Sequence, residues 1–298
     1  MLGRLGVACG LTLVGLALGQ GGADTSVLGR IDFDAPPYQL ATWRGTKVDL
    51  RQHDRRGPKA RGHLWDWEPQ AGLPGAGGHV RFHWWEYKVA NSGPPGEKWE
   101  DNAGFYFRGS GIEPPDEWQE EAEYFGRVRI RIVQPMRPDP EMTGNTATNK
   151  WLITNGGHHD GDHRLMLHLT NTGASEPCVA SSRRFPQARY TAVRISKNIG
   201  DQCAGSVLRT GEWEDVQWSW RMGPAGRAFV RLWVNNNDYA RPTSQHVFSE
   251  PWIMERGGMN SEWHVGGYYS DELEADASWD LDDFEIATSF DATWSRQR

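Results

Sequence analysis

Arg127-Val128-Arg129-Ile130-Arg131-Ile132 alternates a cation with a branched apolar residue through six positions. A strand turns successive side chains to opposite faces, so period two sets three guanidinium groups on one face and three apolar side chains on the other. One face of such a strand belongs to a core and the other to water. The alternation identifies the wet face without saying which sheet carries it.

The same device recurs toward the C-terminus. Arg164 to Thr170 places Leu165, Leu167 and Leu169 inward and Arg164, Met166 and His168 away from them, and Tyr190 to Ser196 sets Thr191, Val193 and Ile195 against Ala192 and Arg194. Trp213 to Met222 and Ala228 to Asn235 flank Gly223-Pro224-Ala225-Gly226, which predicts a hairpin. Trp151 to Asn155, Trp263 to Tyr269 and Trp279 to Ala287 are further strands. Toward the N-terminus, Gly104 to Phe107 and the alternating Val80 to Tyr87 read as strands, and Arg30 to Asp34 as a short opening one. The stretch up to about Gly78 is punctuated by Gly and Pro and predicts long loops with short strands. Glu117 to Tyr124, with Trp118 and Tyr124 suitably spaced, is the helical candidate. Many strands and almost no helix predict an all-β protein, a two-sheet antiparallel β-sandwich.

The chain has 298 residues and a net charge of −7, which argues against a general nucleic-acid binder and leaves any attraction for an acidic ligand to a local patch. Arg4, the apolar run Leu5 to Leu18 and the small residues of Ala17-Leu18-Gly19 predict an export signal over residues 1–19. That run is shorter than the ~20 residues of a membrane span. Residues 20–298 are expected to form a single secreted domain, extracellular or periplasmic, acting as a monomer. Loss of the signal takes Cys9 with it and leaves Cys178 and Cys203, which are expected to pair as a disulfide in an oxidising compartment. Sixteen tryptophans suit either a large sandwich core or a sugar-stacking surface, because each indole carries an N–H that wants a partner.

Gly211-Glu212-Trp213 leading into a strand, then Arg231-Leu232-Trp233-Val234-Asn235, Val265-Gly266-Gly267-Tyr268 and Trp279-Asp280-Leu281-Asp282-Asp283-Phe284-Glu285-Ile286 come in that order. Together they resemble the concanavalin-A-like jelly roll of secreted polysaccharide lyases and lectin-like domains. The resemblance spans roughly Tyr124 to Ser289. It implies a curved sheet whose concave face forms a glycan cleft; if Arg127, Arg129 and Arg131 line that face, their guanidinium groups are spaced to grip successive carboxylates or sulfates of an acidic polysaccharide. In such lyases β-elimination beside a uronate carboxylate needs a base for the C5 proton, an acid for the leaving oxygen and a group that neutralises the developing enolate.

His168 as base, Tyr268 as acid and Arg129 as neutraliser are the candidates for those roles. Arg127 and Arg131, with Arg194, Trp233 and Tyr269, are the candidates for substrate binding. The Arg-x-Glu-x-Arg, Gln-Ile-His and Tyr-x-Lys-x-Gly-x-Tyr motifs of alginate lyases with this fold are not found, so no particular glycan is assigned. A non-catalytic lectin-like protein would instead use Trp84, Trp85, Trp218, Trp220 and Trp233 as stacking platforms. A jelly-roll glycoside hydrolase would draw on the acidic run at Asp280, Asp282, Asp283 and Glu285, although alternation puts Asp280 and Asp282 opposite Asp283 and Glu285. That run suits a structural role better. No cofactor is required by this chemistry, but Asp282 and Asp283 with Asp32 of the opening strand are placed to share a structural Ca²⁺. The loop carrying His158, His159 and His163 has a metal-binding composition without a standard spacing, and a solvated loop accounts for it better.

Overall fold

The computed structural model describes residues 26–33, 41–43, 46–47, 50–55, 65–69, 77–85, 101–107, 121–137, 148–156, 165–171, 191–196, 204–252, 259–269 and 275–291. Its strands in chain order are β1 (Val27–Ile31), β2 (Ala41–Trp43), β3 (Thr46–Lys47), β4 (Leu50–Arg55), β5 (Trp65–Pro69) and β6 (Gly78–Trp84). Next come β7 (Asp101–Phe107), β8 (Glu123–Gln134), β9 (Thr148–Gly156), β10 (Met166–Asn171), β11 (Thr191–Ser196) and β12 (Ala204–Val207). The chain continues through β13 (Trp213–Arg221), β14 (Phe229–Val234), β15 (Ser244–Val247), β16 (Met259–Tyr269) and β17 (Ala277–Ala287).

These strands form two antiparallel sheets. A ten-stranded sheet runs β15-β14-β13-β8-β17-β1-β2-β3, with β6 also on β17 and β5 on β6. A seven-stranded sheet runs β12-β11-β10-β9-β16-β7-β4. Strand β17 is long enough to hold β6 along Ala277 to Leu281 and β1 along Phe284 to Ala287, with β8 on its other edge. The opening and closing strands therefore lie side by side.

Alternation explains how the sheets meet. Val128, Ile130 and Ile132 of β8 share one buried cluster with Leu167 and Leu169 of β10, Val193 and Ile195 of β11 and Val265 of β16. Apolar sides of both sheets thus face each other, and the result is an all-β sandwich. Tryptophan fills much of that core: Trp84, Trp218, Trp220, Trp252 and Trp279 belong to it and are almost wholly buried. Burying each removes on the order of 200 Å² from water, a contribution of a few kcal/mol at about 25 cal/mol per Å².

Strand glycines in the ten-stranded sheet accommodate these rings. Gly29 pairs with Trp43 and Gly126 with Trp218, and in both cases a Cβ would collide with the indole. Gly78 stands under Trp67 in the same way.

The hairpin between β13 and β14 forms as expected, with the amides of Arg227 and Ala228 donating to the Pro224 carbonyl and Gly226 at φ 76°. The helical candidate does not survive where it is described. Glu121 is in the left-handed region, φ 68°, its N–H donates to the Met222 carbonyl, and Glu123 and Tyr124 already belong to β8. A left-handed residue ends a right-handed helix. Tyr124 is instead packed against Trp220 in the core, ring centroids 5.7 Å apart. Residues 117–120 lie outside the described residues. Among the described residues no helix is long and apolar enough to cross a membrane.

Candidate functional site on the outer face of the seven-stranded sheet

The structure separates the residues that the sequence proposes as one site. Arg127, Arg129 and Arg131 are in β8 of the ten-stranded sheet, whereas His168, Arg194 and Tyr268 are in β10, β11 and β16 of the seven-stranded sheet. The core lies between them. Arg129 therefore does not stand beside His168 and Tyr268.

The three β8 arginines do share a face, and β17 and β13 supply its acids. Asp280 pairs in register with Arg131, and Asp282 with Arg129. Asp280 has no exposed surface and accepts from both flanking strands: Arg131 Nε at 2.8 Å, and Arg81 Nε and Nη2 at 2.8 and 3.2 Å. Arg127 donates to Asp215 at 3.1 Å and is itself buried. Arg129 stands 3.8 Å from both Asp215 and Asp282, and its guanidinium and that of Arg131 lie 5.3 and 4.9 Å from the Trp213 ring centroid. Such an array balances its charges within the protein and is a framework rather than a basic lining.

The acidic run of β17 departs from simple alternation. Asp283 adopts φ 51° and the register slips between Asp282 and Glu285. An extra residue at a bulge shifts the parity of the residues after it, so Glu285 pairs with Arg127 and joins Asp280 and Asp282 on the outer face, while Phe284 and Ile286 enter the core. Glu285 lies 3.6 Å from Arg30, and Arg30 donates to Asp32 at 2.9 Å. These carboxylates answer arginines. Among the described residues no group of three or more His, Cys, Asp or Glu side chains is arranged to hold an ion, so Asp32, Asp282 and Asp283 are not gathered into a calcium site. His158, His159, His163, Cys178 and Cys203 lie outside the described residues.

Four of the five tryptophans offered as stacking platforms are core. Trp84, Trp218 and Trp220 belong to the main cluster. Trp233 is wholly buried with Phe125 and Phe290, lies 6.0 Å from the Tyr239 ring, and donates its indole N–H to the Asp238 carbonyl. It has no face left for a sugar. Trp85 is half-buried and stacked on His83 at 5.5 Å. Period two assigns these residues to strands without saying which face is core.

The seven-stranded sheet presents a different outer face. Because Leu167, Leu169, Val193, Ile195 and Val265 face the core, the intervening positions belong to the opposite side. Across the strands the ladders align one row of them: Arg194 opposite His168, His168 opposite Lys150, and Tyr268 opposite Asn102, which is opposite Arg55. Lys150 falls next to Tyr268 in this row, since Leu152 pairs with Val265 and Asn149 with Tyr269. Irregularities at Leu167/His168 and Val265/Tyr269 bring the row into step. His168 is fully buried although it faces away from the core, and Arg194 is partly buried beside it. A second row aligns Arg51, Tyr106, His264, Ile153 and Met166. Sequence reasoning missed Lys150, Arg51, Arg55, Tyr106 and His264, because their positions align only through pairing between strands distant in the chain.

No family model matches the chain and no curated protein does. Among solved structures it is similar to the binding domain of botulinum neurotoxin serotype C1, at 8% identity and a TM-score of 0.50, over 92% of this chain and 53% of that one. It is also similar to the endo-beta-1,4-glucuronan lyase of the fungus Trichoderma reesei, at 11% identity and a TM-score of 0.44, over 80% and 95% of the two chains. A third is the alginate lyase vAL-1 from Chlorella virus, at 8% identity and a TM-score of 0.41, over 75% and 93%. The chain spans about half the length of the neurotoxin binding domains it matches. At 8% identity the likeness to the serotype C1 binding domain bears on fold alone.

Proposed function

We propose that this chain is a secreted carbohydrate-active protein, a polysaccharide lyase that cleaves a uronate-containing glycan by β-elimination on the outer face of the seven-stranded sheet. The observation that carries the proposal is the row Arg55, Asn102, Tyr268, Lys150, His168 and Arg194, which sets a base, a phenol and three cations at neighbouring positions of one face. β-Elimination asks for those groups together. Export by the N-terminal segment and a Cys178–Cys203 disulfide belong to the same proposal.

In this scheme the uronate carboxylate is held by Arg194, replacing Arg129 in the neutralising role. His168 takes the C5 proton, the C5–H electron pair becomes the C4=C5 double bond as the C4–O4 bond breaks, and Tyr268 protonates the departing oxygen. The lectin alternative loses most of its stacking platforms to the core.

The test is to offer the purified protein a panel of uronate-containing polysaccharides and measure absorbance of the unsaturated product. Product should form with at least one glycan, and His168→Ala should lower its rate by about 10²–10⁴-fold, the usual contribution of a positioned acid or base. Retention on an immobilised glycan with no product from any of them would establish a lectin instead. An unchanged rate in His168→Ala would remove this site.

A further inference from the structure

Val230 and Leu232 of β14 belong to the core, so Phe229, Arg231 and Trp233 stand on the outer face of the ten-stranded sheet. Val247 of the edge strand β15 pairs with Phe229 and shares that face. The loop from β14 to β15 folds back over it and lays Tyr239 on Trp233, the two rings 6.0 Å apart and 21° from parallel. Tyr239, 42% exposed, and Val247 are the exposed large hydrophobic residues among those described, and both lie in this corner of the molecule.

The Tyr239 ring is held from several directions. Its hydroxyl donates to Glu123 at 2.6 Å and accepts from Arg231 at 3.0 Å, and Phe290 and Phe125 meet the ring at 5.5 and 6.1 Å. The loop that carries it is tied as well: the Trp233 indole and the Arg241 amide both donate to the Asp238 carbonyl, the Ala240 amide donates to the Asp238 side chain, and Asn236 Nδ2 donates to the Arg241 carbonyl. The side chains that hold the ring come from β8, β14 and the segment just after β17, all on the sheet side of it, so its exposed surface is turned away from the sheet. Covering Trp233 asks only for an apolar side chain. Clamping the hydroxyl between an acid and an arginine fixes, in addition, the tilt of an exposed flat ring.

We infer that Tyr239 is the platform of a second glycan-binding site, across the sandwich from the proposed lyase face, on which a sugar ring stacks its C–H face. This rests on the carbohydrate-active reading and gives the polysaccharide a separate, non-catalytic hold. A pyranose ring has an apolar face and a rim of hydroxyls, so it fits a rigid flat aromatic surface with polar groups around it. The rim here is supplied by Arg241, whose side chain is 85% exposed, by Asp238, and by the exposed Gln245 opposite Arg231. A protein partner fits less well, because a stable interface takes roughly 800 Å² from each side, and the exposed large apolar side chains described in this corner are Tyr239 and Val247 alone. A long polymer engaged at two sites is held more tightly than at either one.

The experiment measures retention of the parent, Tyr239→Leu and Tyr239→Phe on immobilised alginate, polygalacturonate and a neutral β-glucan, with folding checked by thermal unfolding. Leucine still covers Trp233 but has no flat face, whereas phenylalanine keeps the face and loses the hydroxyl. The inference predicts that the parent is retained on at least one polysaccharide, that Tyr239→Leu binds it about tenfold more weakly or worse, and that Tyr239→Phe stays near the parent. Parental retention of a folded Tyr239→Leu variant would overturn the inference, and unsaturated product from that same variant would leave the lyase reading standing. Lost retention by Tyr239→Leu, when the parent cleaves none of the glycans, would uphold the site and refute the lyase. A loss as large in Tyr239→Phe as in Tyr239→Leu would overturn the stacking role, as would a parent retained on none of the three. A parental dimer that dissociates in Tyr239→Leu on sedimentation would assign the platform to a second copy and overturn it too. If Tyr239→Leu does not fold, hydroxyl-radical oxidation of Tyr239 in the parent decides: bound polysaccharide should slow it selectively, and unchanged oxidation would reject the site.

Discussion

Asp280 has no exposed surface, yet two arginines from opposite neighbouring strands converge on it. A buried carboxylate is tolerated only when charge and hydrogen bonds compensate its lost hydration, and removing it strands the cations instead. Asp280→Ala should therefore destabilise the fold by about 3 kcal/mol, the low end of the range for breaking such a group because both arginines keep some water contact. Urea unfolding measures this directly. His79 lies in the same neighbourhood, with Nε2 3.4 Å from Glu68 and 3.5 Å from Asp280 and its ring edge-on to Trp213 at 5.5 Å. Burial pushes its pKa below the ordinary 6.5, and Arg131 and Arg81 push the same way against Asp280 and Glu68. The unfolded chain then binds more protons at this residue than the folded one, so stability present above pH 6.5 is lost as the pH falls from there through the lower folded-state pKa. Replacing His79 with Gln should flatten the fall in urea midpoint between about pH 7 and pH 5 relative to the parent; an equally steep fall in the variant would show that other groups cause it. The arginine alternation of β8 is readable in the sequence, but its acidic partners are not, because Asp280 and Asp282 approach only through a ladder between strands about 150 residues apart.

At the scale of the elements, most long strands obey the alternation of their residues closely, and β8, β10, β11 and the β13–β14 hairpin lie where period two places them. β12 and β15 have only four residues each and carry no comparable pattern. The bulge in β17 is hidden for another reason: no Gly or Pro marks it, and aspartate tolerates the left-handed conformation at Asp283 better than most residues do. That one residue moves Glu285 to the face opposite the one expected. Glycine makes room for tryptophan in the ten-stranded sheet, and that role can be tested. Gly126→Ala puts a methyl group into the Trp218 ring and should cost about 1–3 kcal/mol by overpacking. A denaturation midpoint matching the parent would mean that Trp218 can move aside.

For the whole molecule, two sheets share one core and present two outer faces of different character. The outer face of the ten-stranded sheet carries arginines and carboxylates that answer each other across β6, β8, β13 and β17. The seven-stranded sheet aligns cations, histidine and tyrosine at positions of one face without acids between them in the row. Sequence patterns make the sandwich legible and name His168, Arg194 and Tyr268, yet join them to Arg129, since alternation identifies an outer face but not its sheet. The measurement that tests the account most directly is the rate of unsaturated-product formation by Arg194→Ala and Arg129→Ala, side by side with the parent, on the glycan it cleaves. The account predicts a loss on the order of 10²-fold or more for Arg194→Ala, as for removal of a group that stabilises developing charge, and a parental rate for Arg129→Ala. The opposite pattern, with Arg129 essential and Arg194 dispensable, would place the chemistry on the other sheet and contradict it.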